Sequence, residues 1–275
     1  MKLLTVLILI TLIQSHVFAQ SVRRPNVEKS TLELGAGAVF GKTPHYPGSN
    51  QHNEILFPFP VLIYRGDRLR ADEDGGIRTR FLYSKKFELN LSFGGSLPVS
   101  SKKNTARQGM PKLQTLLELG PGFIFHFLDK YNSKKWKLSL NIPYRHVVST
   151  NIKDTYFRGF VFNPILYSYY DFTENFSIFT SISGRWATQR YNDYLYSVDD
   201  QFTTNSRPRY EANSGHVLMS YGLALIYNYK DFTIFTGMSI DDASASANKN
   251  SPLFIKEQSY STAIGFTYYF YKSDD

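Results

Sequence analysis

The chain has 275 residues, a formal net charge of +8, and a large aromatic share that includes 20 Tyr and 22 Phe. It contains no cysteine, which excludes a disulfide scaffold, a thiolate metal site and a cysteine nucleophile. The length suits one large domain or two small ones. A basic, tyrosine-rich chain favours anionic envelope partners, such as lipopolysaccharide or peptidoglycan, over nucleic acid if it is exported.

The first residues have the pattern of a secretory signal peptide. Lys2 supplies a positive charge, Leu3 to Ile13 form an apolar run, and Val17-Phe18-Ala19 matches a cleavage site. The apolar run is too short for a membrane-spanning helix, which needs roughly 20 apolar residues. We therefore predict export, with cleavage after Ala19.

Beyond this segment, apolar residues recur at every second position, which predicts β-strands. The pattern is clearest at 32–40, 87–93, 217–229 and 260–270, where the intervening residues are mostly Gly, Ser, Asn, Ala or Glu. Helical periodicity does not extend over ten or more residues anywhere after the signal peptide. The sequence therefore predicts an all-β fold.

Two architectures give this alternation: a soluble β-sandwich with its apolar face inward, and a membrane barrel with its apolar face toward lipid. Three features favour the barrel. The predicted strands are near the 9–11 residues that a tilted spanning strand requires. Aromatic residues cluster at strand ends, at 167–170, 227–229 and 268–270, where interfacial girdles lie. The connections also alternate between short and long.

The connections give a strand count. Short turns are predicted at 64–67, 83–86, 129–135, 171–175 and 229–231, and long polar connections at 42–53, 100–112, 190–213 and 241–257. Bacterial barrels keep short turns in the periplasm and have an even number of strands. We also predict a reversal at 72–76, and with an even number of strands we predict an antiparallel, up-and-down transmembrane β-barrel of twelve strands. The predicted organisation is a signal peptide at 1–19, a periplasmic segment at 20–30, the barrel at 31–271 and a periplasmic tail at 272–275.

Several motifs resemble those of the MipA/OmpV family of outer-membrane proteins. Pro44-His45-Tyr46-Pro47-Gly48-Ser49 follows a glycine-rich first strand, a proline-containing strand and turn follow at 58–68, and 194–198 with 209–215 resembles the family's long loop and strand re-entry. Ser251-Pro252-Leu253 and the final aromatic strand complete the order. The family-like positions are Pro44, Tyr46, Gly48, Ser49, Pro58, Pro60, Tyr64, Gly66, Tyr210 and Gly215.

The resemblance implies an outer-membrane barrel. The family takes its name from interaction with a lytic transglycosylase, which implies murein-processing partners and a scaffold role in peptidoglycan metabolism. The end of the last strand, Tyr268 and Phe270, resembles the signal that barrel-assembly machinery reads. The chain departs from the family at 98–104, which is basic where the family is commonly acidic, and at 271–275, which follow the terminal aromatic residue.

The polar motifs point to loop contacts rather than to catalysis. His146 and Ser149 are three residues apart in a strand and so face opposite ways, while Ser214 and His216 have no third residue to orient them. Acidic pairs at 199–200 and 241–242, and His45 with His52, are interpreted as loop residues, so we predict no metal and no cofactor. The most basic long loop is the predicted contact for lipopolysaccharide phosphates, through Lys102, Lys103, Arg107 and Lys112.

Charged residues within the strands are expected to face the lumen and form salt bridges, because a charge on the lipid face costs about 2–4 kcal/mol at the midplane. They are Glu33, Arg78, Arg80, Glu88, Glu118, Arg145 and Arg185. The function predicted is a non-enzymatic envelope scaffold or interaction protein. The alternative is a small-solute channel, and an outer-membrane lipid hydrolase is less favoured.

Overall fold

The computed structural model describes residues 31–65, 69–72, 76–84, 86–128, 135–151 and 153–273. The predicted signal peptide and periplasmic segment, and the last two residues of the predicted tail, lie outside these ranges. The described backbone forms one antiparallel sheet of thirteen strand segments and includes one α-helix. The all-β antiparallel prediction is confirmed. Within this part of the chain no helix is long and apolar enough to span a membrane.

The strands are β1 (Leu32–Pro44), β2 (His52–Arg65), β3 (Leu69–Asp72), β4 (Gly76–Tyr83), β5 (Phe87–Ser96), β6 (Thr115–His126), β7 (Trp136–Thr150), β8 (Thr155–Phe162), β9 (Ile165–Asp171), β10 (Phe176–Ala187), β11 (Gly215–Tyr229), β12 (Phe232–Asp242) and β13 (Gln258–Lys272). The helix α1 is Gln189–Tyr196.

The strand pairings follow chain order, and the first strand also pairs with the last. β1 lies between β2 and β13, and β10 pairs with β11. β8 and β9 both pair with β7, and Asn163 and Pro164 separate the two strands from each other. The Asn163 side chain donates to the carbonyl of Gly184 at 2.9 Å, which bridges the interruption to β10.

The faces of the strands are the reverse of those in a water-soluble sheet. On β13, Tyr260, Ile264 and Phe266 are exposed, whereas Ala263 and Thr267 are buried. The small residues of the inner face leave room for aromatic rings from other strands. A Cβ atom on Gly265 would lie 2.5 Å from the Phe235 ring, and one on Gly37 would lie 2.8 Å from Phe59.

The interior combines an apolar cluster with buried polar and charged side chains. Rings and branched side chains of β1 and β9–β13 form a buried cluster of Val39, Ile165, Tyr167, Tyr169, Phe179, Ala224, Ile226, Phe235 and Ala263, with Phe57 and Phe59 of β2 packed against it. β5–β7 bury Glu88, Asn90, Ser92, Glu118 and Arg145.

Ion pairs neutralise several of the charges in the interior. The Glu118 carboxylate accepts from Arg145 Nη1 at 3.4 Å and from Arg185, and Arg65 Nη1 donates to Glu33 Oε1 at 2.6 Å. The predicted inward positions of Glu33, Glu88, Glu118, Arg145 and Arg185 are confirmed. The side chains of Arg78 and Arg80 lie outside the described part of the structure.

The long connections lie at one end of the sheet, together with the short β7–β8 turn at 151–154, and other short connections lie at the opposite end. The short ones at that opposite end include Phe172–Asn175 and Lys230–Asp231, as predicted, and the start of β1 meets the end of β13 beside them: Ser273 N donates to Leu32 O at 2.9 Å. The predicted tail begins at 272, whereas β13 continues through Lys272. The helix α1 was not predicted. It lies within the long connection that the sequence predicted at 190–213.

Candidate functional site

The four long connections fold together into one structure, which we call the cap: residues 45–51, 97–114, 188–214 and 243–257. A buried cluster joins the cap to the strand ends beneath it. Its members are Tyr46, Val99, Leu113, Leu116, Val147, Val161, Ala187, Tyr191, Leu195, Tyr196, Ala212, Val217, Leu218 and Ala243. The long connections, which the sequence indicated as polar, therefore share a buried apolar core with the strand ends.

Two tyrosines fasten three of the connections to one another. Tyr196, at the end of α1, is fully buried, and its hydroxyl donates to Pro47 O at 3.0 Å. The Tyr46 hydroxyl donates to Leu253 O at 2.9 Å, and Ser251 Oγ donates to Tyr196 O at 2.7 Å. Burial raises the pKa of Tyr46 to about 12 and raises the pKa of Tyr196 well above its ordinary value. Both hydroxyls thus stay protonated and remain donors.

Asn104 fastens the fourth connection. Its Oδ1 accepts from the backbone amide of Arg107 at 3.2 Å, which turns its Nδ2 toward His45 Nδ1, 2.9 Å away. His45 Nδ1 must then be an acceptor, so the imidazole is neutral. Burial, followed by the charges of His52 and Lys103, lowers the pKa of His45 and agrees with that state.

The predicted lipopolysaccharide-contact residues separate into two kinds. Lys102, Lys103 and Lys112 are exposed. Arg107 is only 4% exposed, and its Nη1 donates to Leu195 O at 2.8 Å, so it ties the 97–114 connection to α1. Sequence alone did not indicate this, because a buried guanidinium needs partners that α1 supplies only after folding.

Several family-like positions meet in the cap. Gly48 has φ +86° and its carbonyl accepts from the amides of Ile255 and Lys256, while a Cβ there would lie 2.5 Å from the Phe254 ring. Ser49 is buried and accepts from Asn104 Nδ2 at 3.2 Å. The Tyr210 hydroxyl donates to Asn248 Oδ1 at 3.3 Å. Together with Tyr46, these residues shape the cap.

The remaining predicted positions lie elsewhere. Pro44 ends β1 and Gly215 begins β11 with φ +138°. Pro58, Pro60 and Tyr64 lie on the exposed face of β2, and Tyr268 and Phe270 on that of β13. Gly66 lies outside the described residues.

The hydroxyl and imidazole groups considered for catalysis do not converge. His146 is exposed and stacks on Phe157 with ring centroids 4.6 Å apart, whereas Ser149 is buried on the opposite face and accepts from Arg158 Nε at 2.8 Å. His216 Nδ1 lies 3.2 Å from Ala245 O. In the part of the chain that the structure describes, three or more metal-ligating side chains do not come together.

An inner cavity of about 200 Å³ lies below the cap. Glu118, Arg185 and Asp241 line it, together with serines of four neighbouring strands: Ser181, Ser183, Ser220, Ser239 and Ser261. The α1 residue Tyr191 covers Arg185, whose guanidinium carbon lies 5.3 Å from the ring centroid. This cavity is small, its lining mixes polar and apolar side chains, and the cap covers it.

A larger groove of about 850 Å³ lies on the outer side of the cap. The start of β8, α1 and the segments 107–112 and 197–211 line it. Arg158 lies with its guanidinium carbon 4.0 Å from the centroid of Tyr194, and Arg190 lies 5.1 Å from that of Phe157. The sequence analysis missed this groove because its lining comes from segments that are far apart in the chain and meet only in the folded cap.

The comparisons with known proteins identify the family. The model of the family described as MltA-interacting protein MipA matches residues 34–270. The chain belongs to this family. Membership confirms the resemblance seen in the motifs, and together with the exposed apolar face it supports an outer-membrane β-barrel.

Among solved structures, the chain is similar to the NanC porin, with 11% identity, a TM-score of 0.40, and coverage of 86% of this chain and 98% of that one. It is also similar to an outer membrane channel from Pseudomonas putida F1, with 9% identity, a TM-score of 0.47, and coverage of 90% and 98%. A comparison with curated proteins gives no match.

Proposed function

We propose that the protein is a non-enzymatic scaffold of the bacterial outer membrane that binds a murein-processing enzyme at its periplasmic end. The family match carries the proposal, since the family is described as MltA-interacting. Export through a cleaved signal peptide and assembly by the barrel machinery belong to the same proposal.

The proposed barrel is closed and has twelve strands. β8 and β9 lie in line against β7 and count as one interrupted strand, which reduces thirteen segments to twelve. An even number places both chain ends on one side, as found for Leu32 and Ser273. The apolar outer face suits lipid, where the backbone groups of every strand edge must be paired.

The described interior favours a scaffold over the alternative, a small-solute channel. The cap covers one end, and the cluster around Phe179, Ile226 and Phe235 fills part of the space between the strands. A steady ionic current through the refolded barrel in a planar bilayer would favour the channel. The absence of such a current would favour the scaffold.

The partner would reach the short-turn end, because murein lies in the periplasm. We expect envelope extracts passed over the immobilised barrel to leave a lytic transglycosylase bound. The charge reversal Lys86→Glu with Lys230→Glu alters the short-turn end, where both residues are exposed, and should weaken capture.

A matched control places the same charge change at the other end of the protein. Lys102→Glu with Lys103→Glu alters the exposed surface of the cap and should leave capture unchanged. Recovery of no murein enzyme by the unaltered barrel would refute the scaffold role for this chain.

A further inference from the structure

We propose that the groove on the outer side of the cap is a binding site for an anionic oligosaccharide. The groove is distinct from the inner cavity, and it lies at the end opposite the proposed murein partner. Its volume of about 850 Å³ is within the range of roughly 300–1,000 Å³ that is common for ligand sites. It has room for several sugar units.

The cationic groups of the groove are held in place before any ligand arrives. Arg158 Nε donates to the buried Ser149 hydroxyl at 2.8 Å, and its guanidinium lies over Tyr194. Arg190 projects from α1 and lies over Phe157. Stacking on an aromatic face restricts the conformations of an arginine side chain without using its hydrogen-bond donors. The terminal N–H groups of the guanidinium therefore remain suited to binding a phosphate or a carboxylate.

The other groove residues indicate a sugar rather than a bare anion. The side chain of Tyr156 is 51% exposed and offers an aromatic surface for a sugar ring. Asp193 and Glu211 also line the groove and can accept hydrogen bonds from hydroxyl groups. Cationic side chains outnumber carboxylates in the lining, so the groove suits a hydroxylated ligand that carries acidic groups.

Two sources supply this chemistry: phosphorylated core sugars of lipopolysaccharide and uronic-acid sugars of acidic polysaccharides. The test uses the full barrel in detergent micelles and two soluble probes. The probes are deacylated lipopolysaccharide and trigalacturonic acid, and neutral maltotriose serves as the control ligand. Titration calorimetry measures each dissociation constant at low and at high salt.

The variant Arg158→Gln/Arg190→Gln removes both stacked guanidinium groups. We expect its dissociation constant for the acidic probe to rise at least tenfold, because two charge-assisted contacts are lost. Lys102→Gln/Lys103→Gln removes the same charge from the neighbouring exposed turn and should change the dissociation constant for the acidic probe by less than twofold. Arg190→Gln alone should raise it as well, and this variant keeps the Arg158–Ser149 hydrogen bond. Heat-modifiable migration on a gel verifies that each variant is folded.

The probe that binds identifies the acidic group. The proposal is overturned if neither acidic probe binds, if maltotriose binds as tightly, or if the groove variants bind as tightly as the unaltered barrel. The site does not depend on the murein partner, so a failed pull-down and a failed titration refute different statements.

Discussion

Glu118 is the residue on which the charge balance of the polar interior depends. Its carboxylate contacts two buried guanidinium groups, those of Arg145 and Arg185. Taking charges out of water is costly, and the ion pairs compensate that cost only while both signs are present. The three side chains therefore act as one unit. Removing the Glu118 carboxylate takes an ion-pair partner from both arginines.

We expect Glu118→Gln to destabilise the protein by about 3–5 kcal/mol, the range for breaking a buried ion pair by removing one partner. The measurement is urea unfolding in lipid vesicles, followed by tryptophan fluorescence. Glu54→Gln is the matched control, because Glu54 is exposed, and it should change stability by less than about 0.5 kcal/mol. Equal effects of the two substitutions would contradict the assigned role of Glu118.

His45 makes the cap sensitive to acid. In the folded cap the Nδ1 atom of His45 accepts a hydrogen bond from Asn104 Nδ2. If the imidazole were protonated, its Nδ1–H would face the N–H of Asn104. The pKa of His45 lies below its ordinary value of 6.5, so the closed cap binds protons less readily than an opened one. The stabilisation is therefore complete above about pH 6.5 and is lost as pH falls through the lowered pKa.

Acidification should then separate the connections 45–51 and 97–114. Because the chain has no native cysteine, spin labels at Asn50→Cys and Lys103→Cys report this distance by pulsed electron resonance. We expect a longer distance at pH 5 than at pH 7.5. His45→Gln keeps an acceptor for Asn104 but does not titrate, and it should remove the change. If His45→Gln responds as the unaltered protein does, another group, such as His52, is responsible.

At the scale of elements, α1 organises the cap. The helix has only eight residues, too few to be stable alone, so its order comes from packing. Tyr191, Leu195 and Tyr196 project from one side of it and are buried. We expect Tyr196→Ala to loosen the cap by about 3–5 kcal/mol, as for other large buried aromatic residues.

The loosening should appear as faster amide hydrogen exchange in 45–51 and 243–257, which Tyr196 contacts through Pro47 and Ser251. Tyr156→Ala removes a ring that is 51% exposed and is the comparison variant. Unchanged exchange in Tyr196→Ala would mean that the connections hold their positions without the helix.

The strands could be predicted from sequence and the cap could not. β13 can be recognised in the sequence because large apolar residues from Tyr260 to Phe270 alternate mostly with small ones. Such strand periodicity is a local property of the chain. The burial of Arg107 and the meeting of Arg158 with Arg190 arise from contacts between distant segments. The predicted basic loop contributes Arg107 and Lys112 to the groove, but the stacked arginines of the groove come from β8 and α1, where no local pattern indicated them.

The whole molecule is distinguished from a soluble β-sandwich by the medium around its apolar face. Ile264 is 55% exposed and lies near the middle of β13, whereas Tyr260 lies close to the cap end of the same face. In a bilayer, an arginine costs about 2–4 kcal/mol at the midplane and about 0–1 kcal/mol near the interface. In water, both substitutions would be nearly neutral, since the side chain would enter solvent.

We therefore expect Ile264→Arg to lower the unfolding free energy in lipid vesicles by about 2–4 kcal/mol, and Tyr260→Arg by about 0–1 kcal/mol. Urea titration of the two variants in the same vesicles gives the difference directly, and it cancels the effect of the added charge itself. A gradient of this size along one strand requires the strand to cross the hydrocarbon layer with this face outward. Equal and small effects would instead place the apolar face in water or against another protein, and would contradict the barrel.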